Sequence, residues 1–317
     1  MGGRRCTPAA TCGRCPGSTD AGYNGSSDAG GWILVRSRGP IWVLAIGLSF
    51  VSSLLVLAIT QDARAAAAQT HRAGLVDPAQ ARWFFYDDSG QLVNQFFFGK
   101  PGDVPIFGDW DGDGIETPGM YRQSDGYVYV RNSNTQGAAD IKFFFGNPGD
   151  VPIAGDFNGD GYDTVSIYRP SNQTFYIINK LGANDGGLGA AEFSYVFGIP
   201  GDKPFVGDFD GDGLETVGLH RESTGLVFFR NSHTQGNADN QFIFGDPGDR
   251  LIAGDWTGNG VFTPGLFRPS EGKLYFRYTN TQGNADNEFH PWPQYPPWWP
   301  VHDTFLPVSG SLGPDGR

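Results

Sequence analysis

Gly108-Asp-Trp-Asp-Gly-Asp-Gly-Ile-Glu-Thr-Pro-Gly-Met-Tyr-Arg122 decides how this chain is read, because the pattern occurs four times. Its counterparts run from Gly155 to Arg169, from Gly207 to Arg221 and from Gly254 to Arg268. The first Asp of each copy falls at 109, 156, 208 and 255, giving steps of 47, 52 and 47 residues. A glycine-rich insert around 183–190 accounts for the longer step. Self-similarity at a period of roughly 20–50 residues marks a chain of stacked supersecondary units.

Every unit has the same internal order. An aromatic run ends in Phe-Gly (Phe98-Gly99, Phe145-Gly146, Phe197-Gly198, Phe244-Gly245), and a Pro-Gly-Asp turn follows. A short apolar run leads into the acidic loop, a second ends in Arg, and a third alternates, as in Tyr127-Val-Tyr-Val-Arg131. That is about four strands of roughly five residues per unit. One such unit cannot bury its own apolar face and must stack on its neighbours. Four-stranded units of this length predict an all-β fold, a small β-propeller. The strand count gives about four blades, with five as the alternative. The run 83–99 reads as the third and fourth strands of a blade, so the chain starts in mid-blade and lets its two ends share a sheet, which removes free edges.

The acidic loops carry the chemistry. Asp109-x-Asp111-x-Asp113-Gly114 sets three carboxylates at alternate positions around a sharp turn. Calcium takes 6–8 oxygen ligands at roughly 2.3–2.6 Å, and this spacing supplies three from one loop, with Glu116 at position 8 as a further candidate. The second loop offers Asp156, Asn158, Asp160 and Asp163, and the third offers Asp208, Asp210, Asp212 and Glu215. The fourth begins at Asp255 but has Thr257, Asn259 and Phe262 where the others carry acids or Asn158, so about three Ca2+ sites are expected and the fourth is degenerate. These are not EF-hands: position 12, which needs a bidentate Glu, holds Met120, Ile167, Leu219 and Leu266. Asp-Gly clusters also make plain turns. Three copies in register favour the metal, and a dication relieves repulsion among close carboxylates, so its role is read as structural.

These Phe-Gly pairs, acidic loops and repeat length resemble the FG-GAP/VCBS repeat family, known for calcium-loop β-propellers such as the integrin alpha-chain head, and most of all its secreted bacterial form. The likeness covers residues 83–290. It implies a propeller fold and calcium in the loops, and a role in adhesion, carbohydrate binding or enzyme support. One departure is consistent: the acid usual at loop position 9 is replaced by Thr117, Thr164, Thr216 and Thr263, and the acid stands at position 8. The last ligand of each loop is therefore open.

Other recurrent residues invite a structural reading. Arg122, Arg169, Arg221 and Arg268 share one position, as do Asp103, Asp150, Asp202 and Asp249. An anion-binding ring of arginines is one possibility. A planar fork paired with a nearby turn aspartate, inside or between blades, is favoured. His220 replaces Tyr121, Tyr168 and Phe267 and reads as a packed aromatic, while His71, His233, His290 and His302 share no setting. No Ser/His/Asp order, His-Glu-x-x-His or phosphate-binding glycine loop occurs, so an enzyme is not expected. The run 290–300 is Pro/Trp-rich, and Trp292, Trp298 and Trp299 read either as a docking surface or as a plug. Residues 307–317 read as disordered.

Composition and charge bound the partners. An aromatic content of 14% argues against disorder despite 48 glycines and 22 prolines. The first 65 residues hold six arginines and three acids, which leaves 16 basic and 31 acidic residues, a net −15, for the remainder. Such a body repels nucleic acid and has cations as its natural small partners. Cys6, Cys12 and Cys15 all precede residue 41, so no disulfide holds the body. Residues 41–60 carry no charge and suffice to span a bilayer, and the arginines before them place the N-terminus inside. This predicts a disordered cytoplasmic tail at 1–40 and a transmembrane signal anchor, or a signal peptide cut near Ala65, at 41–60. A linker at 61–82, a propeller at 83–290 and a tail at 291–317 complete the plan. The expected function is an extracytoplasmic binding or adhesion module for a protein or glycan. The alternatives are an accessory or hydrolytic domain acting on polysaccharide, and a structural spacer.

Overall fold

In the computed structural model, residues 70–291 and 303–313 are described. The expected cytoplasmic tail, the apolar run 41–60, the three cysteines, His302 and Trp292, Trp298 and Trp299 lie outside them. Among the described residues there is no helix, and so none long and apolar enough to cross a membrane.

The strands come in order along the chain. β1 (Arg72–Asp77), β2 (Arg82–Tyr86) and β3 (Leu92–Phe97) pair antiparallel in sequence. β4 (Val104–Gly108), β5 (Thr117–Arg122), β6 (Tyr127–Val130) and β7 (Ile141–Phe144) form the second sheet. β8 (Val151–Gly155), β9 (Thr164–Arg169) and β10 (Thr174–Ile177) open the third. The glycine-rich insert then gives β11 (Gly186–Gly187), which crosses back to run parallel to β7, before β12 (Phe193–Val196) completes the third sheet. β13 (Lys203–Gly207), β14 (Thr216–Arg221), β15 (Leu226–Phe229) and β16 (Asn240–Ile243) make the fourth. β17 (Arg250–Gly254), β18 (Thr263–Arg268), β19 (Lys273–Phe276) and β20 (Asn287–Phe289) make the fifth. Finally β21 (Leu306–Gly310) returns to pair antiparallel with β1, Val308 opposite Gly74.

The molecule is thus a five-bladed β-propeller, and the count of about four is corrected to five. The additional blade is built from both ends of the repeat region, in the order β21-β1-β2-β3. Two further expectations fail at the same place. Residues 72–77, read as linker, are a strand, and residues 307–310, read as part of a disordered end, belong to the innermost strand of the closing blade, Leu306–Gly310. The expectation that 83–99 holds the third and fourth strands of a blade is met by β2 and β3. The inner strands β4, β8, β13, β17 and β21 pack side by side in a closed circle.

Packing explains why one unit could not stand alone. Each apolar cluster is shared by two adjacent blades. Ile106, Tyr121, Val128 and Phe143 of the second blade pack on Val165, Ile167 and Ile178 of the third. Trp83, Phe85 and Phe96 of the closing blade pack with Met120 of the second. Fully burying one such side chain contributes about 1.5–3 kcal/mol, so the blade interfaces hold the ring. The Phe-Gly glycines turn the chain from each outer strand with φ near +100°, a region closed to most side chains, as at Gly99 (101°) and Gly146 (105°).

The recurrent arginines do what the structural reading expects. Arg122 donates Nε and Nη2 to Asp103 at 2.9 and 2.8 Å, and Arg169 donates both to Asp150 at 2.8 Å. Arg221 and Arg268 grip Asp202 and Asp249 in the same way. Each guanidinium also lies over an aromatic ring of the next strand, such as Tyr129 at 4.4 Å or Tyr176 at 4.6 Å. The aspartates are buried and accept a backbone N–H inside their own turn, as Asp150 does from Asn147. His220, 1% exposed, packs as the aromatic substitute that its register predicted.

Candidate metal loops and the mouth of the central channel

The acidic loops join each inner strand to the second strand of its blade, so all of them lie at one end of the propeller. Each is wound around its first aspartate. Asp109 Oδ1 accepts from the N–H groups of Gly112 and Asp113, and Oδ2 accepts from Gly114. Asp156 and Asp208 repeat this pattern residue for residue. Asp255 keeps it with Asn259 and Gly260. Burial pushes Asp109 and Asp208 above the ordinary carboxylate range, and the three N–H donors pull them back.

The fourth loop separates turn from site. With Thr257 and Asn259 in place of acids it still winds around Asp255, so the carboxylates at positions 3 and 5 are not needed to make the turn. In the first loop Asp109, Asp111 and Asp113 bring one oxygen each within 4.8 Å of one another, and in the third Asp208, Asp210 and Asp212 do the same. The second and third acids of each set are exposed. In the second loop Asn158 donates its amide to Asp160 Oδ2 at 2.9 Å, while its own Oδ1 takes the Asp160 N–H at 3.2 Å. Oxygen-only donor sets of this spacing suit a hard cation.

Glu116, Asp163 and Glu215 take a different course from the rest of their loops. Their backbone N–H groups bond to the blade before: Glu116 to Ser311 O at 3.0 Å, Asp163 to Asp109 O at 2.8 Å and Glu215 to Asp156 O at 3.0 Å. Phe262 to Asp208 O and His71 to Asp255 O, at 2.6 and 2.9 Å, close the cycle. Position 8 is therefore a latch between neighbouring blades, repeated five times around the ring. Its side chain lies over the glycine that ends the preceding inner strand, where a Cβ would collide with it: Gly155 against Glu215, Gly207 against Phe262.

All five latch side chains line one central cavity of about 190 Å³, whose walls are the five inner strands. Going around the mouth, three acids are followed by Phe262 and His71, which meet edge to face at 4.6 Å. His71 Nε2 stands 3.4 Å from Glu116 Oε1, and the two side chains keep 11% and 15% of their surface accessible. Burial holds Glu116 and Glu215 well above the ordinary carboxylate range, and the charge of Asp163 adds to both. Asp163 is pushed up to about 7, by burial first. Burial drives His71 down to about 4 against the charge of Asp255, so at neutral pH it meets Glu116 as an uncharged imidazole.

Sequence reasoning missed His71 and the channel. The signal was present: Arg72-Ala-Gly-Leu75 aligns with Thr117-Pro-Gly-Met120, which places His71 in register with Glu116. The order of blades around the ring was needed to bring the four polar side chains together.

No protein-family model matches the chain, and no curated protein matches it. The chain is similar to a solved structure described as "Crystal structure of BBS1N in complex with ARL6DN, soaked with mercury", at 10% identity and a TM-score of 0.36, covering 75% of this chain and 74% of that one. The blade count rests on the strand pairing of this chain itself.

Proposed function

We propose that this protein is a calcium-stabilised binding module of the FG-GAP/VCBS kind, held or released outside the membrane, with a protein or glycan as its ligand. The observation that carries the reading is the contrast between loops. Two loops converge three carboxylates each, while the fourth makes the same turn without them. Acids that the turn does not require, exposed and converging, are well explained by a cation. The uncharged run 41–60, the arginines before it and a cysteine-free body support an extracytoplasmic setting. A rigid closed ring with irregular loops at one end suits presentation of a binding face.

Calorimetric titration of the whole chain with calcium, alongside thermal melts in calcium and in chelator, tests this. About three bound ions and a lower melting temperature in chelator are expected. No binding heat together with an unchanged melt overturns it.

A further inference from the structure

The rim of the propeller is made of outer strands, and each ends its sheet with one edge. An open edge is a row of unpaired N–H and C=O groups, a ready template for another strand, and natural sheets blunt it with charge, shortness or a cover. β7 carries Lys142 and is covered, since β11 runs along it. β12 and β16 have four residues each, and β20 has three and carries Glu288. β3 has none of these protections. It is six residues long, no charged residue occurs from Ser89 to Gly99, and among the described residues no strand pairs with its outer side.

The neighbouring blade displays the kind of occupant such an edge takes. On β7, the Asp185 N–H donates to Lys142 O at 2.7 Å and the Leu188 N–H to Phe144 O at 3.1 Å, so this segment docks through its main chain. The Lys142 N–H bonds Asn184 Oδ1 at 2.8 Å, and Lys142 Nζ holds the Asp185 carboxylate at 2.8 Å. In the register of the Phe-Gly pairs, Gln95 stands where β7 has Lys142, and Phe97 where it has Phe144. The Phe98 N–H bonds inward to Ala81 O at 3.0 Å. Backbone groups alternate in direction along a strand, so Gln95 and Phe97 carry theirs to the open side.

That open side is a groove. A cavity of about 590 Å³ runs beside β3, lined by all six of its residues and walled by Asn134, Thr135 and Gln136 of the next blade. Ligand clefts hold roughly 300–1,000 Å³. Phe97 is 43% exposed, and the exposed Gln136 side chain has no hydrogen bond among the described residues. Arg82 lines the same groove. Its Nη2 donates to Gln95 Oε1 at 2.6 Å and its guanidinium lies 5.5 Å from the Phe97 ring, but it has no carboxylate partner among the described residues. In a body of net charge −15 this cation is left for a ligand's acid, beside Gln95, as the Lys142 ammonium serves Asp185 at the matching position of β7.

We propose that the groove along β3 binds an extended acidic segment of a protein ligand by strand addition. The segment's main chain pairs with the outward N–H and C=O groups of Gln95 and Phe97, and its carboxylate meets Arg82. This rests on the reading of the propeller as a binding module and takes protein, not glycan, as the ligand. It does not require metal in the acidic loops.

The test is fluorescence anisotropy on the whole chain with a fluorescein-labelled peptide, Thr-Val-Asp-Val-Thr-amide. Saturable binding is expected, with a Kd of about 1 mM or below. The same peptide with every backbone nitrogen methylated should bind at least about tenfold more weakly, and the peptide with Asn for Asp about threefold or more weakly. Gln95→Pro removes an outward N–H and no ladder bond to β2, a place where an edge strand accepts proline, and is expected to weaken the probe about tenfold or more. Gln241→Pro, at the matching position of β16, should alter it less than about twofold. Arg82→Gln should abolish the preference for Asp over Asn. Should Gln95→Pro fail to fold, as judged by its melt, Phe97→Pro gives the same reading. Titrations in calcium and in chelator should agree, which separates failure of this inference from failure of the calcium reading. No binding of the probe overturns the inference, as does equal binding of the methylated peptide or equal binding by Gln95→Pro. A chain that is dimeric by light scattering and monomeric as Gln95→Pro also overturns it, because a second copy then fills the edge.

Discussion

Asp163→Asn is expected to stabilise this protein at pH 8 and to leave its stability nearly unchanged at pH 4. The folded carboxyl titrates at about 7, against 3.8 for the ordinary group, and burial is the first cause. Below about 3.8 the group is protonated in both the folded and the unfolded chain and costs nothing. As pH rises towards 7 the unfolded chain releases the proton while the folded one retains it, so stability is lost across that window. Above 7 the loss is constant. About three pH units at roughly 1.36 kcal/mol each set a ceiling near 4 kcal/mol. Glu116 and Glu215 share the cavity, so the gain on neutralising one of the three is smaller, about 1–3 kcal/mol. The asparagine oxygen can still accept the Asp109 N–H, which the carboxylate holds at 2.8 Å. Urea titrations followed by circular dichroism at pH 4, 6 and 8, with chelator and without amine buffers, give the difference directly. A variant less stable at pH 8, or one whose difference does not vary with pH, refutes the reasoning.

Arg169→Ala leaves Asp150, 2% exposed, without its bidentate partner, and should cost about 3 kcal/mol in the same denaturation assay. Arg169→Lys, which keeps charge but not the fork, should cost about half as much. Restoring acids to the degenerate loop with Thr257→Asp and Asn259→Asp is expected to add one calcium to the stoichiometry measured by calorimetry, because that loop already winds around Asp255. Ending the chain before Leu306 removes the inner strand of the closing blade and bares the edge of β1. Light scattering should then report association or aggregation in place of the intact chain's size.

The repeat was legible because it is written in small, strict residues. The acidic loop, the Phe-Gly pair and the Pro-Gly-Asp turn each demand particular side chains, and all fell where expected. The Arg–Asp pairs were legible for the same reason, since two residue types recur at constant separation. The closing blade was not, because its inner strand lacks the features that marked the others. Leu306-Pro-Val-Ser-Gly310 matches Val104-Pro-Ile-Phe-Gly108 in outline, but no acidic loop follows it and no Phe-Gly precedes it. Its identity as a strand comes from pairing with β1, a partner more than 200 residues away. The latch residues were misplaced for a related reason. Within one unit Glu116 looks like the tail of a calcium loop. Only the neighbouring blade shows that it hangs over the channel.

Position 8 separates what the ring requires from what it tolerates. Where a feature is structural, its chemistry is uniform: the glycine under each latch is present at 108, 155, 207, 254 and 310. Side chains at the latch itself are not uniform, being two glutamates, an aspartate, a phenylalanine and a histidine. Uniform backbone geometry with divergent side chains means that the side chains have been free to answer to something other than ring closure. The three acids are contiguous around the circle, so the mouth has a charged arc and an aromatic arc. The same asymmetry concentrates the cost of buried charge in the second, third and fourth blades.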